Sequence, residues 1–93
     1  MKLYLLTQDA VVGYDTYDSM VVAAPNEDAA RRISPYGYVW SEERERWRYR
    51  NGSGGPDYAS TWPAHISSVT VELIGTAVKG TKEGIILASF NAG

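Results

Sequence analysis

Four arginines alternate with other residues between positions 44 and 50 of the chain, and two aromatic residues lie among them. The members of this row are Arg44, Arg46, Arg48 and Arg50, with Trp47 and Tyr49 between them. In an extended strand, successive side chains point to opposite faces, so a strand here places the arginines on one face and the aromatic residues on the other. Guanidinium groups match phosphate or carboxylate, and an aromatic face can stack a base. The row predicts a surface for nucleic acid or a nucleotide; its alternative is a solvated face opposite a core-facing aromatic pair.

The charge of the chain favours the solvated face over nucleic-acid binding. Glu42, Glu43 and Glu45 lie close enough in sequence to neutralise much of the arginine charge. The formal net charge of −2 supplies no overall attraction to a polyanion. A nucleic-acid-binding module that uses residues 44–50 is therefore the second hypothesis for function.

Aromatic residues form the other group of candidates, because the chain has seven Tyr and three Trp but only one Phe. Tyr and Trp combine apolar area with a polar tip and are enriched at interfaces, whereas the alternative is that they fill a small core. The candidates flank the first predicted turn or follow the predicted helix: Tyr14, Tyr17, Tyr36, Tyr38 and Trp40. We expect them to line one end of a sheet, as a surface for a partner protein or, with the arginines, for a nucleotide-like ligand.

Residues with catalytic or metal-binding chemistry are few. His65 is the only histidine, and the sequence places no nucleophile or carboxylate in an evident pairing with it, so a structural role is favoured. Asp9, Asp15 and Asp18 lack the spacing of a calcium loop and are typical of turns. The chain has no cysteine, and no phosphate-binding loop or dinucleotide fingerprint occurs. The sequence predicts a protein that is not an enzyme and uses no cofactor and no metal.

The elements that position these residues follow from the hydrophobic pattern. Strands are predicted over residues 2–8 and 19–24, and they pair antiparallel because the connection between them is short. A short helix follows, with Asn26 as its N-cap, and Pro35 ends it because the residue before a proline is biased away from the helical region.

The second half of the chain is predicted as extended segments and loops. A short extended piece and a turn precede a strand that ends at Asn51. A flexible loop then spans residues 51–57, and two alternating apolar segments close the chain, with Leu73 on the core face of the first. The predicted extended segments are residues 36–40, 44–50, 68–77 and 85–90, the last two joined by a hairpin loop at 79–84.

Together these elements predict one domain, residues 1–93, of the α+β class. Its fold is an antiparallel β-sheet of four to five strands with one short helix packed on it, in the order β-β-α-β-β-β. One helix cannot cover a whole sheet face, so part of the sheet is left for the Trp/Tyr segment, a ligand or a second subunit of a homo-oligomer. The lack of cysteine and of a long apolar run predicts a cytoplasmic protein without membrane contact.

The chain also resembles small single-domain proteins of phage and prophage genomes. The resemblance covers a little over half of the chain and rests on residues 2–8 (KLYLLTQ), 13–25 (GYDTYDSMVVAAP), 69–77 (VTVELIGTA) and 84–93 (GIILASFNAG). No activity is assigned to those proteins, so the resemblance implies no site residue. It implies a context in which small proteins bind and inhibit host factors, counter-defence inhibitors among them. The first hypothesis for function is therefore a phage-type inhibitor that binds a host protein or sequesters a nucleotide-like ligand.

Overall fold

The computed structural model describes residues 1–51, 54–55 and 61–91. The Cα radius of gyration is 12.9 Å, near the value of about 13 Å expected for a compact chain of this size. The described elements are β1 (Lys2–Thr7), β2 (Thr16–Ala24), α1 (Glu27–Arg31), β3 (Val39–Ser41), β4 (Arg46–Arg48), a 3-10 turn (Ile66–Ser68), β5 (Thr70–Thr76) and β6 (Gly84–Asn91).

The strands form a four-stranded sheet in the order β5-β1-β2-β6 and a separate two-stranded hairpin of β3 and β4. Every neighbouring pair is antiparallel. The predicted fold class, an antiparallel sheet with one short helix, is confirmed.

The predicted hairpin between the last two strands is wrong. β5 pairs with β1 and β6 pairs with β2, so these two strands lie on opposite edges of the sheet. The chain between them passes the sheet end at which β1 begins, where the Ala77 amide donates to the Met1 carbonyl at 3.0 Å. The connection therefore spans two strands instead of turning back on itself, and both central strands gain a partner on each side.

The predicted strand over residues 44–50 is shorter in the structure. Residues 42–45 form a turn, and Glu45 in that turn has a positive φ of 51°. Only Arg46–Arg48 pairs with β3, so Arg44 and Arg50 lie outside the strand. The predicted row of four arginines on one strand face is therefore wrong, because the turn between β3 and β4 takes up the first part of the segment.

The helix begins as the sequence predicts. The Asn26 side chain accepts a hydrogen bond from the Ala29 amide at 2.8 Å, which satisfies one of the free amides of the first turn. Arg31 then ties the end of the helix to the 3-10 turn, because its guanidinium donates to the carbonyls of Ile66, at 3.3 Å, and of Val69. These bonds hold α1 against the start of β5.

The core lies on one side of the four-stranded sheet. Tyr4, Leu6, Met20 and Val22 point into it from β1 and β2, and Leu6 and Met20 are directly opposite each other. The helix, the β3–β4 hairpin and the segment around the 3-10 turn cover this side, supplying Ala30, Trp40, Trp47, Trp62, Ile66 and Val69. The Trp/Tyr segment thus covers part of the sheet, which is one of the three alternatives that the sequence left open.

The other side of the sheet, called here the outer face, carries the alternate residues. Leu5, Val21 and Leu87 are consecutive cross-strand neighbours on it, because partners in a ladder share a face. Leu73, predicted as a core residue, is opposite Tyr4 but remains 57% exposed at the β5 edge. The prediction of its burial is therefore wrong: an edge position receives less cover than a central one.

The predicted flexible loop at residues 51–57 is described only in part. The Tyr49 amide donates to the Gly54 carbonyl at 2.6 Å. Gly55 lies so close to the backbone of Trp47 that any Cβ at this position would collide with the Trp47 carbonyl. The remaining residues of the loop, residues 56–60 and residues 92–93 lie outside the described part of the chain.

Candidate functional site

Five aromatic rings form a continuous array at the surface, called here the tyrosine surface. Phe90 contacts Tyr17 with ring centroids 4.8 Å apart, and Tyr17 contacts Tyr36 edge to face at 5.6 Å. Tyr36 contacts Tyr38 at 5.9 Å, and Tyr38 contacts Tyr49 at 5.7 Å. All of these distances fall in the range of favourable aromatic pairs.

Separate parts of the fold supply these rings. Tyr17 and Phe90 are opposite each other on β2 and β6. Tyr36 and Tyr38 follow the helix in a tight turn, in which the Ser34 hydroxyl accepts from the Tyr38 amide at 2.8 Å. Gly37 adopts a positive φ of 71° in this turn, which favours glycine.

The rings keep a large part of their area in contact with solvent. Tyr36 is 49% exposed, Tyr49 44% and Phe90 42%. A group of rings that contact one another while remaining open to solvent can bind a partner without first being ordered. The tyrosine surface therefore has the character of a preformed contact patch.

Tyr17, which lies between Phe90 and Tyr36 in the array, has a phenol with a perturbed pKa. Burial raises its pKa above the usual 10.0, and the neighbouring Tyr36 phenol raises it further. The phenolate is the charged form, so the folded protein retains the Tyr17 proton at pH values where the unfolded chain has lost it. The array thus favours the neutral, hydrogen-bonding form of this tyrosine.

We expect this phenol to weaken the fold in alkaline solution. Because the unfolded state binds fewer protons above pH 10.0, the free energy of unfolding falls as the pH rises from 10.0 through the folded-state pKa of Tyr17. Urea unfolding of the wild type and of Tyr17→Phe across this range should give a shallower pH dependence in the variant. Tyr14→Phe, at a ring 77% exposed and outside the array, is the control and should follow the wild type. Identical slopes for the wild type and Tyr17→Phe would contradict the assigned cause.

A pocket of about 410 Å³ opens beside the array. Tyr38 belongs to both, so the pocket and the tyrosine surface are continuous. The Arg50 guanidinium stands at the pocket and donates to the Gly37 carbonyl at 3.3 Å. The lining residues are Arg32, Ile33, Ser34, Gly37, Tyr38, Val39, Arg50, Glu83, Gly84 and Ile85.

Arg32, the second guanidinium of the pocket, is engaged with acidic and carbonyl oxygens. It forms a charge-assisted hydrogen bond with Glu42 and donates to the Asp28 carbonyl at 2.8 Å. The bond to Arg32 lowers the pKa of Glu42 and raises that of Arg32. The positive charge of this arginine is therefore largely compensated by Glu42.

The predicted arginine row is divided between three local environments. Arg44 lies in the turn before β4, where its amide donates to the Ser41 hydroxyl at 3.2 Å. Arg46 and Arg48 lie opposite Ser41 and Val39, on the hairpin face away from the tryptophans. Arg50 alone reaches the pocket.

The structure places both candidate tryptophans in the core. Trp40 and Trp47 are cross-strand partners with ring centroids 5.2 Å apart, and they are 8% and 5% exposed. The Trp47 indole donates to the Pro63 carbonyl at 2.9 Å. Neither ring is open to stack a ligand, so we leave both out of the tyrosine surface. Tyr14 is open to solvent in the turn before β2 but belongs to none of the ring pairs of the described residues.

His65 has neighbours that the sequence did not indicate. Its Nδ1 lies 2.8 Å from the Ser67 hydroxyl and accepts from the Ser67 amide at 3.1 Å, while its Nε2 lies 3.5 Å from a Glu45 carboxylate oxygen. The amide bond is that of an N-cap, because His65 starts the 3-10 turn. The ring also packs edge to face on Trp40 at 5.1 Å. This arrangement is accounted for by capping and packing.

Acidic residues form no evident metal site in the part of the chain that the structure describes. No group of three or more His, Cys, Asp or Glu side chains converges there. Asp15 has a positive φ of 60°, as turn residues of this type tolerate. The prediction of turn-forming aspartates fits this geometry.

Sequence reasoning missed Phe90 and Arg32 as members of the site. Phe90 joins the array because β6 pairs with β2, a pairing between distant segments that no local pattern indicates. Arg32 follows a short predicted helix, where the helix dipole alone favours a basic residue, so its place in the sequence indicates no site. The lining of the pocket by Glu83 and Ile85 depends on the same long-range pairing.

No family model, curated protein or solved structure matches the chain. Among the described residues, no helix has the length and apolar character needed to cross a membrane.

Proposed function

We propose that this protein is a non-enzymatic binding protein that recognises a partner protein through the tyrosine surface. The observation that carries the proposal is the continuous array of five partly exposed rings. In the context of the phage proteins that the chain resembles, the partner is a host factor in the cytoplasm, and the consequence of binding is inhibition, as expected of a counter-defence protein.

Tyrosines suit an interface because they combine a large contact area with a low entropic cost of ordering. Each ring supplies a large apolar area and a hydroxyl that can donate or accept, and only two torsions must be fixed on binding. Mutual packing of Tyr36, Tyr38 and Tyr49 already restricts these torsions in the free protein. Less conformational entropy is then lost on association, so more of the contact energy appears as affinity.

A nucleotide-like ligand is the second candidate, and the pocket is the observation that favours it. Its volume of about 410 Å³ lies within the range of small-molecule sites. Arg50 can provide a planar donor pair for a phosphate, and Tyr38 an aromatic wall for a base. Glu83 in the lining opposes an anion, which makes this candidate weaker than protein recognition.

Nucleic-acid binding through residues 44–50 has less support from the geometry. The arginines do not share one strand face, and Trp47 is buried. A single-stranded nucleic acid requires a continuous basic groove with open aromatic rings, and the net charge of −2 adds no attraction. We therefore rank this function below the other two.

A capture experiment with matched variants tests the leading proposal. The tagged wild-type protein, the double variant Tyr36→Ala/Tyr49→Ala and the control Tyr14→Ala are incubated with host lysate, and the captured proteins are compared. A hot-spot tyrosine contributes about 2 kcal/mol, and about 1.4 kcal/mol is tenfold in affinity, so even one hot spot among the two residues should make the double variant lose capture of the specific partner by more than tenfold. Tyr14→Ala removes an exposed tyrosine outside the array and should capture as well as the wild type.

Two results would contradict the proposal. Capture that survives in the folded double variant would remove the tyrosine surface as the binding site. The second is that the wild type captures no protein but binds a nucleotide, measured by calorimetry with a panel of nucleotides, and that Arg50→Ala loses this binding. This result would favour the pocket function.

A further inference from the structure

The two edges of the four-stranded sheet are unlike in charge. In the described part of the chain, β5 and β6 each have a strand on one side only. The β6 segment, GIILASFN, has no charged residue and no proline, whereas β5 carries Glu72 near its middle. Soluble proteins protect exposed edges with charges, prolines or bulges, because an open edge presents unpaired backbone amides and carbonyls to other strands. Of these three protections, β6 has only a bulge, which is the register shift between its Ile85 and Leu87.

The β6 edge also exposes its apolar side chains on both sides of the sheet. Leu87, on the outer face, is 68% exposed, and Phe90, opposite Tyr17, is 42% exposed. Ile85 and Ile86 are 39% and 53% exposed. Four large apolar residues exposed on an eight-residue strand form an apolar patch of the kind that marks an interaction site.

We propose that β6 pairs antiparallel with β6 of a second copy of this chain, which joins two sheets into one of eight strands. The proposal extends beyond the proposed function, because it concerns the backbone edge of β6; Phe90 is the one ring of the tyrosine surface that this strand carries. A two-fold axis perpendicular to the sheet makes the pairing isologous, so each copy offers the same edge. The unpaired backbone groups of one β6 are then satisfied by those of the other.

Charge selects β6 over β5 as the pairing edge. In a centred antiparallel pair of β5 strands, Glu72 of one copy lies diagonally across from Glu72 of the other, and like charges at this distance are unfavourable. A centred pair of β6 strands brings no charges together. The nearest ones, Lys82 and Glu83, precede the strand and lie beyond the paired segment.

The two-fold symmetry also determines which surfaces of the two copies lie on the same side of the dimer. The two-fold axis keeps each face of the sheet on its own side, so the two tyrosine surfaces lie on one side and the two outer faces on the other. In a centred register, Phe90 of one copy lies near the Ile85 end of the other. The row formed by Leu5, Val21 and Leu87 continues across the junction into the second copy.

The expected dimer is concentration-dependent. Pairing of one edge strand buries less surface than the interfaces of about 800 Å² per partner that are typical of stable complexes. Sedimentation velocity over a wide range of protein concentration should therefore show the apparent mass rising up to twofold. Hydrogen exchange of the wild type should show, in the same range, slower exchange at alternate amides of residues 84–91.

Two leucines give a matched pair of variants. Leu87→Lys places a charge on β6, and Leu73→Lys places the same charge on β5 at a leucine of similar exposure, 57% against 68%. Both side chains are largely in solvent, so both variants should fold, which circular dichroism checks. Leu87→Lys should stay monomeric at concentrations where the wild type and Leu73→Lys are dimers.

Other outcomes overturn the proposal. A protein that stays monomeric at all concentrations has no β6 pairing. Dimers that Leu87→Lys leaves intact, or that Leu73→Lys abolishes, place the contact elsewhere. If Leu87→Lys is misfolded, Ser89→Lys on the same exposed strand face replaces it, and the concentration dependence of exchange in wild-type β6 gives the answer without any variant.

Discussion

Replacing Leu6 by alanine is expected to remove a large part of the stability of this protein. Leu6 is completely buried near the end of β1, opposite Met20, and both belong to the core cluster on the helix side of the sheet. Leucine-to-alanine changes at such sites cost about 2–5 kcal/mol, because transfer energy is lost and a cavity remains. A small domain has a total stability of about 5–15 kcal/mol. Urea unfolding should show a lower midpoint with little change in slope.

The neighbouring Leu5 is the matched control for this substitution. It is half-buried and lies on the outer face, beside Val21. Leu5→Ala removes the same atoms from a less enclosed position, so its cost should be clearly smaller. Equal losses in the two variants would contradict the assignment of the core to one side of the sheet.

The first third of the fold could be predicted because its signals are local. The apolar residues of β1 and β2 and the short connection between them determine an antiparallel pair, which has the expected orientation. Asn26 caps the helix because its side chain reaches the amide three residues later. Each of these interactions is completed within a few residues of chain, so the sequence alone contains them.

The partner of β6 could not be predicted, because strand pairing across the chain has no local pattern. A glycine-containing loop between two apolar strands is typical of a hairpin, and residues 79–84 fit that description. In the structure, β5 pairs with the free edge of β1, and β6 pairs with the free edge of β2. Whether two strands form these pairs or a hairpin with each other depends on contacts across the whole sheet. Without this pairing, Phe90 could not be recognised as part of the site, because its contact with Tyr17 depends on β2 lying beside β6.

The candidate site was predicted in part, since the period of two in residues 44–50 shows which residues share a face but not which face is covered. The face that carries Trp47 is the covered one. Because the strand ends at Arg48, Tyr49 lies outside the core and contacts Tyr38 in the tyrosine surface. The Trp47 ring is larger than the Tyr49 ring and gains more from burial, and it packs against Trp40, its cross-strand partner. Of the five aromatic residues expected to line one end of the sheet, Tyr17, Tyr36 and Tyr38 lie together, whereas Tyr14 lies outside the array and Trp40 is buried.

Replacing Trp47 by alanine is the second change with a large expected effect, and it separates a core role from a stacking role. Trp47 is 5% exposed, packs on Trp40, and donates to the Pro63 carbonyl at 2.9 Å. Truncation of a buried tryptophan costs about 3–5 kcal/mol. We expect Trp47→Ala to lower the urea midpoint strongly and to release the β3–β4 hairpin from the sheet, visible as faster hydrogen exchange in Arg46–Arg48.

Trp47→Phe provides the finer comparison, because it keeps most of the apolar volume while removing the indole donor and the smaller part of the ring system. Loss of a buried hydrogen bond of this kind costs about 1–3 kcal/mol, so this variant should lie between the wild type and Trp47→Ala in stability. Because the ring faces the core, folded Trp47→Phe should bind any captured partner as the wild type does. A stable Trp47→Ala protein that has lost binding to nucleic acid at low salt would reverse this conclusion and restore the arginine row, with Trp47 as its stacking ring, as the functional surface.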